Sequence, residues 1–164
     1  MYGLVNNAFV DYAVSQIGEL RWREICGEKD LQQVPYQNME AYPDQETLAL
    51  VVAISETLQV SIEICLKNLG EFWIKYVTNS PYSPMITKSG NTMKALMQNL
   101  DSLHTRLSLS FNELQAPSFW VSEVSEVEFN LYYSSEREGL NSFVEGLLRG
   151  LSNYFGIKID ISVP

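Results

Sequence analysis

Only one side chain in this chain of 164 residues is an imidazole, His104. It lies in the stretch Asn91 to Ser108, where Met93, Met97, Leu100 and Leu107 recur at alternating steps of four and three. That spacing is the apolar stripe of an amphipathic helix, and His104 falls on the stripe between Leu100 and Leu107. An imidazole aimed inward from an apolar face must find partners for its ring nitrogens. A backbone carbonyl would satisfy it as a core residue. Neutral imidazole is also the commonest metal ligand. A second group of chemical interest is Tyr133-Ser134-Ser135-Glu136-Arg137. In extended backbone Tyr133, Ser135 and Arg137 face one way, so a phenol, a hydroxyl and a guanidinium would converge as a carboxylate or phosphate receptor. The plain alternative is a strand end with exposed polar groups. Cys26 and Cys65 have neither metal-type nor redox-type spacing, and both sit on apolar helical faces.

The elements that must position these residues follow from hydrophobic periodicity. Residues 2 to 17 place apolar side chains at helical spacing, with Gly18 as the stop. A short helix from Leu20 to Cys26 should end near Gly27. Residues 29 to 43 are polar, hold two prolines and form a connection. Asp44 suits an N-cap for the next helix, and the apolar run Leu48 to Leu58 predicts deep burial for it. Ser61 to Val77 is helical with Ile62, Cys65, Leu66, Leu69, Phe72, Trp73 and Tyr76 inward, and Gly70 marks a close approach by another element. A loop with two prolines and a short helix lead to Gly90 and the helix of His104.

After Phe111 the period changes. Val127, Phe129, Leu131 and Tyr133 alternate, which predicts a half-buried strand within 121 to 133, with a partner near 119 to 124. Gly139 to Phe155 is helical. Gly146 and Gly150, four apart, permit close helix contact, and Glu145 and Arg149 among them exclude a membrane helix pair. Ile157, Ile159, Ile161 and Val163 alternate as a last strand, whose open edge would call for a further strand. The fold class is α+β: a helical N-terminal subdomain, then an antiparallel sheet with a crossing helix, all in one domain over 1 to 164.

Composition excludes several functions. The 20 acidic and 11 basic residues give a net charge of -9, which repels phosphate backbones and anionic lipid, so neither nucleic acid nor a membrane surface is expected as a partner. Hydrophobic content of 46% with 19% charged describes a globular protein. The first basic residue is Arg21, so the start does not read as a signal peptide, and the run Leu48 to Ile54 is too short to span a bilayer. With the cysteine pattern, this favours a cytoplasmic setting. No His-Glu-x-x-His, Walker loop or dinucleotide fingerprint occurs.

An imidazole on one side of a pocket and an anion clamp at its mouth would suit a planar metallo-macrocycle with carboxylate arms. The opening MYGLVNNA, the segment LGEFW, the helix NLDSLH, the segment APSF and the run YYSSEREGL together resemble the haem-nitric oxide/oxygen-binding (H-NOX) domain of bacterial gas sensors and of the soluble guanylate cyclase β subunit. The resemblance covers nearly the whole chain in order. It implies haem b (iron protoporphyrin IX) buried between the helical subdomain and the sheet, with His104 as the proximal iron ligand. It implies that Tyr133, Ser135 and Arg137 hold the propionates, and that Pro117 presses the macrocycle out of plane. Asp44 would pair with the clamp arginine, although an N-cap explains it equally well. Val5, Phe9, Trp73, and Phe143 or Val144 would line the distal side.

Distal donors decide which gas is held. Oxygen-binding relatives carry a distal tyrosine, and here the corresponding positions are Ser142 and Phe143. Trp73 offers an indole N–H but reads equally as a bulky core residue. The expectation is therefore a nitric oxide sensor that excludes oxygen and works by weakening the iron–His104 bond. It performs no turnover and signals to an effector such as a histidine kinase or nucleotide cyclase. The alternatives are an oxygen- or carbon monoxide-binding haem domain, a haem-free interaction module, and a cysteine nucleophile with His104 as base.

Overall fold

The computed structural model describes residues 1–125 and 127–163, so Glu126, within the expected strand 121 to 133, and Pro164 lie outside the described residues. Among the described residues there are seven helices and one two-stranded sheet, the α+β arrangement expected. α1 (Gly3–Ile17) stops at Gly18, whose φ of 83° is open to glycine at little cost. α2 (Glu19–Glu28) runs through Gly27 instead of ending there, and Asp30 takes the left-handed conformation beyond it. α3 (Asp44–Leu58) begins behind Pro43 and ends at the left-handed Gln59. α4 (Ile62–Thr78) is capped by the Ser61 hydroxyl, which accepts the Ile64 N–H. α5 (Pro84–Thr87) is a single turn. The Thr92 hydroxyl caps α6 (Met93–Ser108) by accepting the Ala95 N–H.

β1 (Ser118–Glu123) and β2 (Phe129–Ser134) pair antiparallel, with Trp120 opposite Tyr132 and Phe119 opposite Tyr133. α7 (Asn141–Phe155) then crosses back and ends at Gly156. The expected last strand is not formed. Residues 157–163 are irregular, with Ile159 packed into the lower core. Alternation lets a segment lie in a sheet, but a strand also needs a neighbouring edge to bond to.

Two apolar clusters divide the molecule. The upper one joins α1, α2, α3 and the first half of α4; the lower one joins the second half of α4, α5, α6, α7 and the hairpin. α4 and α7 run through both and bind them by close backbone approach. A Cβ on Gly70 would meet the Phe143 carbonyl at 2.2 Å, and one on Gly146 would meet the Lys67 carbonyl at 2.1 Å. Lys67 and Glu145 form an ion pair across this interface at 2.7 Å.

α3 is less buried than its apolar run predicts. Leu50, Val51, Ala53 and Ile54 face inward, whereas Leu48 and Val52 are 57% and 43% exposed. A helix against the edge of a core has one inward face, and a continuous apolar run must leave the other outside. Among the described residues no single helix is long and apolar enough to cross a membrane.

Candidate functional site

A cavity of about 440 Å³ lies between α6 and the hairpin on one side and the first turn of α1, α4 and α7 on the other. Its size and largely apolar wall suit a cofactor-sized ligand. His104 enters from α6. Its ring stacks on Phe119 of β1, with centroids 5.6 Å apart, and Phe119 in turn packs on Tyr133 of β2 at 5.2 Å. Nδ1 of His104 is buried without a hydrogen-bond partner. Burial pushes the imidazole's pKa below the usual histidine value; nearby Asp101 and the Leu100 carbonyl, outside proper hydrogen-bond geometry, offset this only in part. The core-histidine alternative requires a backbone acceptor, and among the described residues the nearby Leu100 carbonyl makes no hydrogen bond of good geometry to Nδ1. Asp101 does something sequence reasoning did not anticipate: its carboxylate accepts the Phe119 N–H at 3.2 Å and pins α6 to β1.

Tyr133, Ser135 and Arg137 all line the same cavity. They do so by a different local geometry from the one expected. β2 ends at Ser134, and the chain turns as the Arg137 N–H donates to the Ser135 hydroxyl at 3.1 Å. The guanidinium donates through Nε to Asp44 at 2.7 Å and through Nη1 to the Gln115 carbonyl at 2.9 Å. Asp44 does not cap α3, since Pro43 occupies the cap position and the side chain bonds elsewhere. Its carboxylate bridges Arg137 and the Met1 amino group, the latter at 2.6 Å. Burial alone would raise the Asp44 pKa, but these two cations hold it below the ordinary carboxylate value.

The opposite wall is apolar. Val5, Trp73, Phe143 and Val144 are in it, and Pro117 lines the cavity from the chain entering β1. Phe9 is not in the wall. It is 2% exposed in the upper core and meets Phe143 edge-on at 5.8 Å. Only the first turn of α1 reaches the cavity, so a residue one turn beyond Val5 supports the lining from behind. Ser142 does not reach it either. Among the described lining residues of α1, α4 and α7, Trp73 alone carries an N–H or O–H on its side chain, and its ring stacks on Tyr76 with centroids 6.1 Å apart. Cys26 and Cys65 are in the upper core, apart from the His104 cavity, and burial pushes the Cys65 thiol up to about 11, which opposes a nucleophilic role.

The model of the haem-NO-binding family matches residues 2–163. This chain belongs to that family. The chain spans between a tenth and a quarter of the length of the curated relatives it matches. Soluble guanylate cyclase 89Db of Drosophila melanogaster is 21% identical over 155 residues, 94% of this chain and 23% of the relative. The guanylate cyclase soluble subunit beta-2 of Rattus norvegicus is 34% identical over 103 residues, 62% of this chain and 15% of the relative. Among solved structures, an H-NOX protein from S. oneidensis in the Fe(II)NO ligation state shares the fold, with a TM-score of 0.87, 23% identity, and coverage of 99% of this chain and 89% of that one. The residues in place fit the family's cofactor. An imidazole lining an apolar slot could ligate the iron, and a guanidinium at one end could meet the carboxylate arms.

Proposed function

We propose that this domain is a haem b sensor that takes nitric oxide, and carbon monoxide, in preference to oxygen. The observation that carries this reading is the unpartnered imidazole of His104, set across the cavity from a wall whose one donor is Trp73. Ferrous haem, when bound, would supply the iron that takes a diatomic gas, and this chain's donors would tune which gas is preferred. His104 would hold the iron from α6. Tyr133, Ser135 and Arg137 would hold the propionates, and Asp44 would orient Arg137 by its 2.7 Å bond. Pro117 would bear on one face of the macrocycle. Val5, Phe143 and Val144 would exclude water and offer no hydrogen bond to bound oxygen, a loss that nitric oxide tolerates better.

Signalling would follow from where His104 sits. It lies within α6, one turn from the helix's C-terminal end, so its hold on the iron would also be a hold on that end of α6. Relaxing that hold leaves α6 tied to the hairpin by polar bonds, such as Asp101 to Phe119 and Lys94 to Glu123. Such a helix can occupy two positions, which a sensor needs. The domain performs no turnover. Its output goes to an effector, a histidine kinase or a nucleotide cyclase, in the cytoplasm.

Absorption spectra of the reduced protein under nitric oxide, carbon monoxide and air test the reading. Complexes with the first two and none in air are expected. A stable oxygen complex that Trp73→Phe abolishes would replace the reading with an oxygen sensor using the indole donor. Colourless protein made with ample porphyrin would leave a haem-free interaction module.

A further inference from the structure

The connection from α6 to β1, residues 109–117, carries Pro117 into the cavity wall. Its own turn is closed by the Leu114 N–H donating to the Phe111 carbonyl at 3.0 Å. Two bonds from elsewhere in the molecule fix it. One is the Arg137 guanidinium on the Gln115 carbonyl. The other comes from Tyr2, far away in sequence, whose hydroxyl accepts the Glu113 N–H at 3.0 Å. The Tyr2 ring also packs edge-on against Phe111, with centroids 4.8 Å apart and planes at 86°. Tyr2 is itself held from behind by its pairing with Ala41, and the next residue, Gly3, donates to the Glu40 carbonyl at 2.9 Å. Packing on Phe111 requires only the ring. The hydroxyl has a separate consequence, because it ties the start of α1 to the chain that places Pro117.

We propose that the Tyr2 hydroxyl is a positioning residue for Pro117, setting how the proline meets the macrocycle and coupling the N-terminal helix to the chain that leaves the His104 helix. This rests on the reading of Pro117 given above. Tyr2→Phe keeps the ring and removes the acceptor, leaving the Glu113 N–H to solvent. A bond of this kind contributes about 0.5–1.5 kcal/mol, so exchange of the Glu113 amide should speed about two- to tenfold.

The test measures amide exchange by NMR in haem-loaded and haem-free protein, together with the midpoint potential of the loaded protein, for wild type, Tyr2→Phe and Pro117→Ala. The expected result is faster exchange at Glu113 and a potential shifted in the same direction as in Pro117→Ala, by a smaller amount. Unchanged exchange in both forms overturns the proposal. So does faster exchange with an unmoved potential when Pro117→Ala does shift it. If Pro117→Ala itself leaves the potential where it was, the reading of Pro117 has failed and the proposal falls with it, a result distinct from the other two.

Discussion

The two walls of the cavity are built on different principles. On one side α4 and α7 meet backbone to backbone, where Gly70, Gly146 and Gly150 leave no room even for a methyl group. On the other side α6 meets the hairpin through side chains: a buried ring stack around His104 and Phe119, and polar bonds at the rim. Sliding α4 against α7 drives carbonyl oxygens into chain, a steep steric cost. Sliding α6 against β1 exchanges partly solvated bonds for water, a shallow one. The imidazole of His104 sits on the wall whose displacement costs less. A sensor is economical when the ligand acts on the compliant side and the rigid side supplies the frame.

Substitutions can break this contrast. The largest effect is expected from Gly146→Ala. Its Cβ would lie 2.1 Å from the Lys67 carbonyl, so the helices must separate, at a cost of about 3 kcal/mol in urea unfolding. A change near zero would mean that the frame yields as easily as α6. Next, His104→Gly should fold yet show a ferrous haem spectrum only with added imidazole; an unchanged spectrum without it removes His104 as ligand. Arg137→Ala should speed haem loss about ten- to hundredfold, through the loss of a charged hydrogen-bond donor contributing about 1.5–3 kcal/mol. Equal retention would move the anion clamp elsewhere.

Acid sharpens the comparison further. The Lys67 ammonium, helped by Arg149, holds the Glu145 carboxyl below its ordinary value of 4.5, against the opposing effect of burial. A depressed carboxylate stabilises the fold at pH above the ordinary value, and that contribution is lost as pH falls through the folded value. Wild type should therefore lose melting temperature faster than Glu145→Gln on acidification below 4.5; parallel curves would show that this pair adds nothing to the rigid wall. The smallest effect is expected from Lys94→Ala on the compliant wall, where the pair with Glu123 is over one-third exposed on both sides. The loss should be under about 1 kcal/mol. A loss rivalling that of Gly146→Ala would erase the distinction between the walls.

Local pattern carried much of this. The stripe through Met93, Met97, Leu100 and Leu107 placed His104 on the inner face of α6, because helical period alone fixes which residues share a face. The glycines at 70, 146 and 150 announced a close helix contact for a similarly local reason, the absence of a Cβ. Chain order and composition likewise separated the helical part from the hairpin. Tertiary structure decided whatever depended on a partner distant in sequence. Asp44 reads as a cap within its own segment, and only the approach of Arg137 and Met1 takes its carboxylate away from the helix end. Phe9 shares a face with Val5, but where α1 leaves the cavity is set by packing, so one lines it and the other backs it. Residues 157–163 alternate like a strand and are not one, because a strand is completed by a neighbour's edge. The hydroxyl of Tyr2 finds the Glu113 amide 111 positions away, a contact no local period encodes. Periodicity assigns faces; only the folded chain says what each face meets.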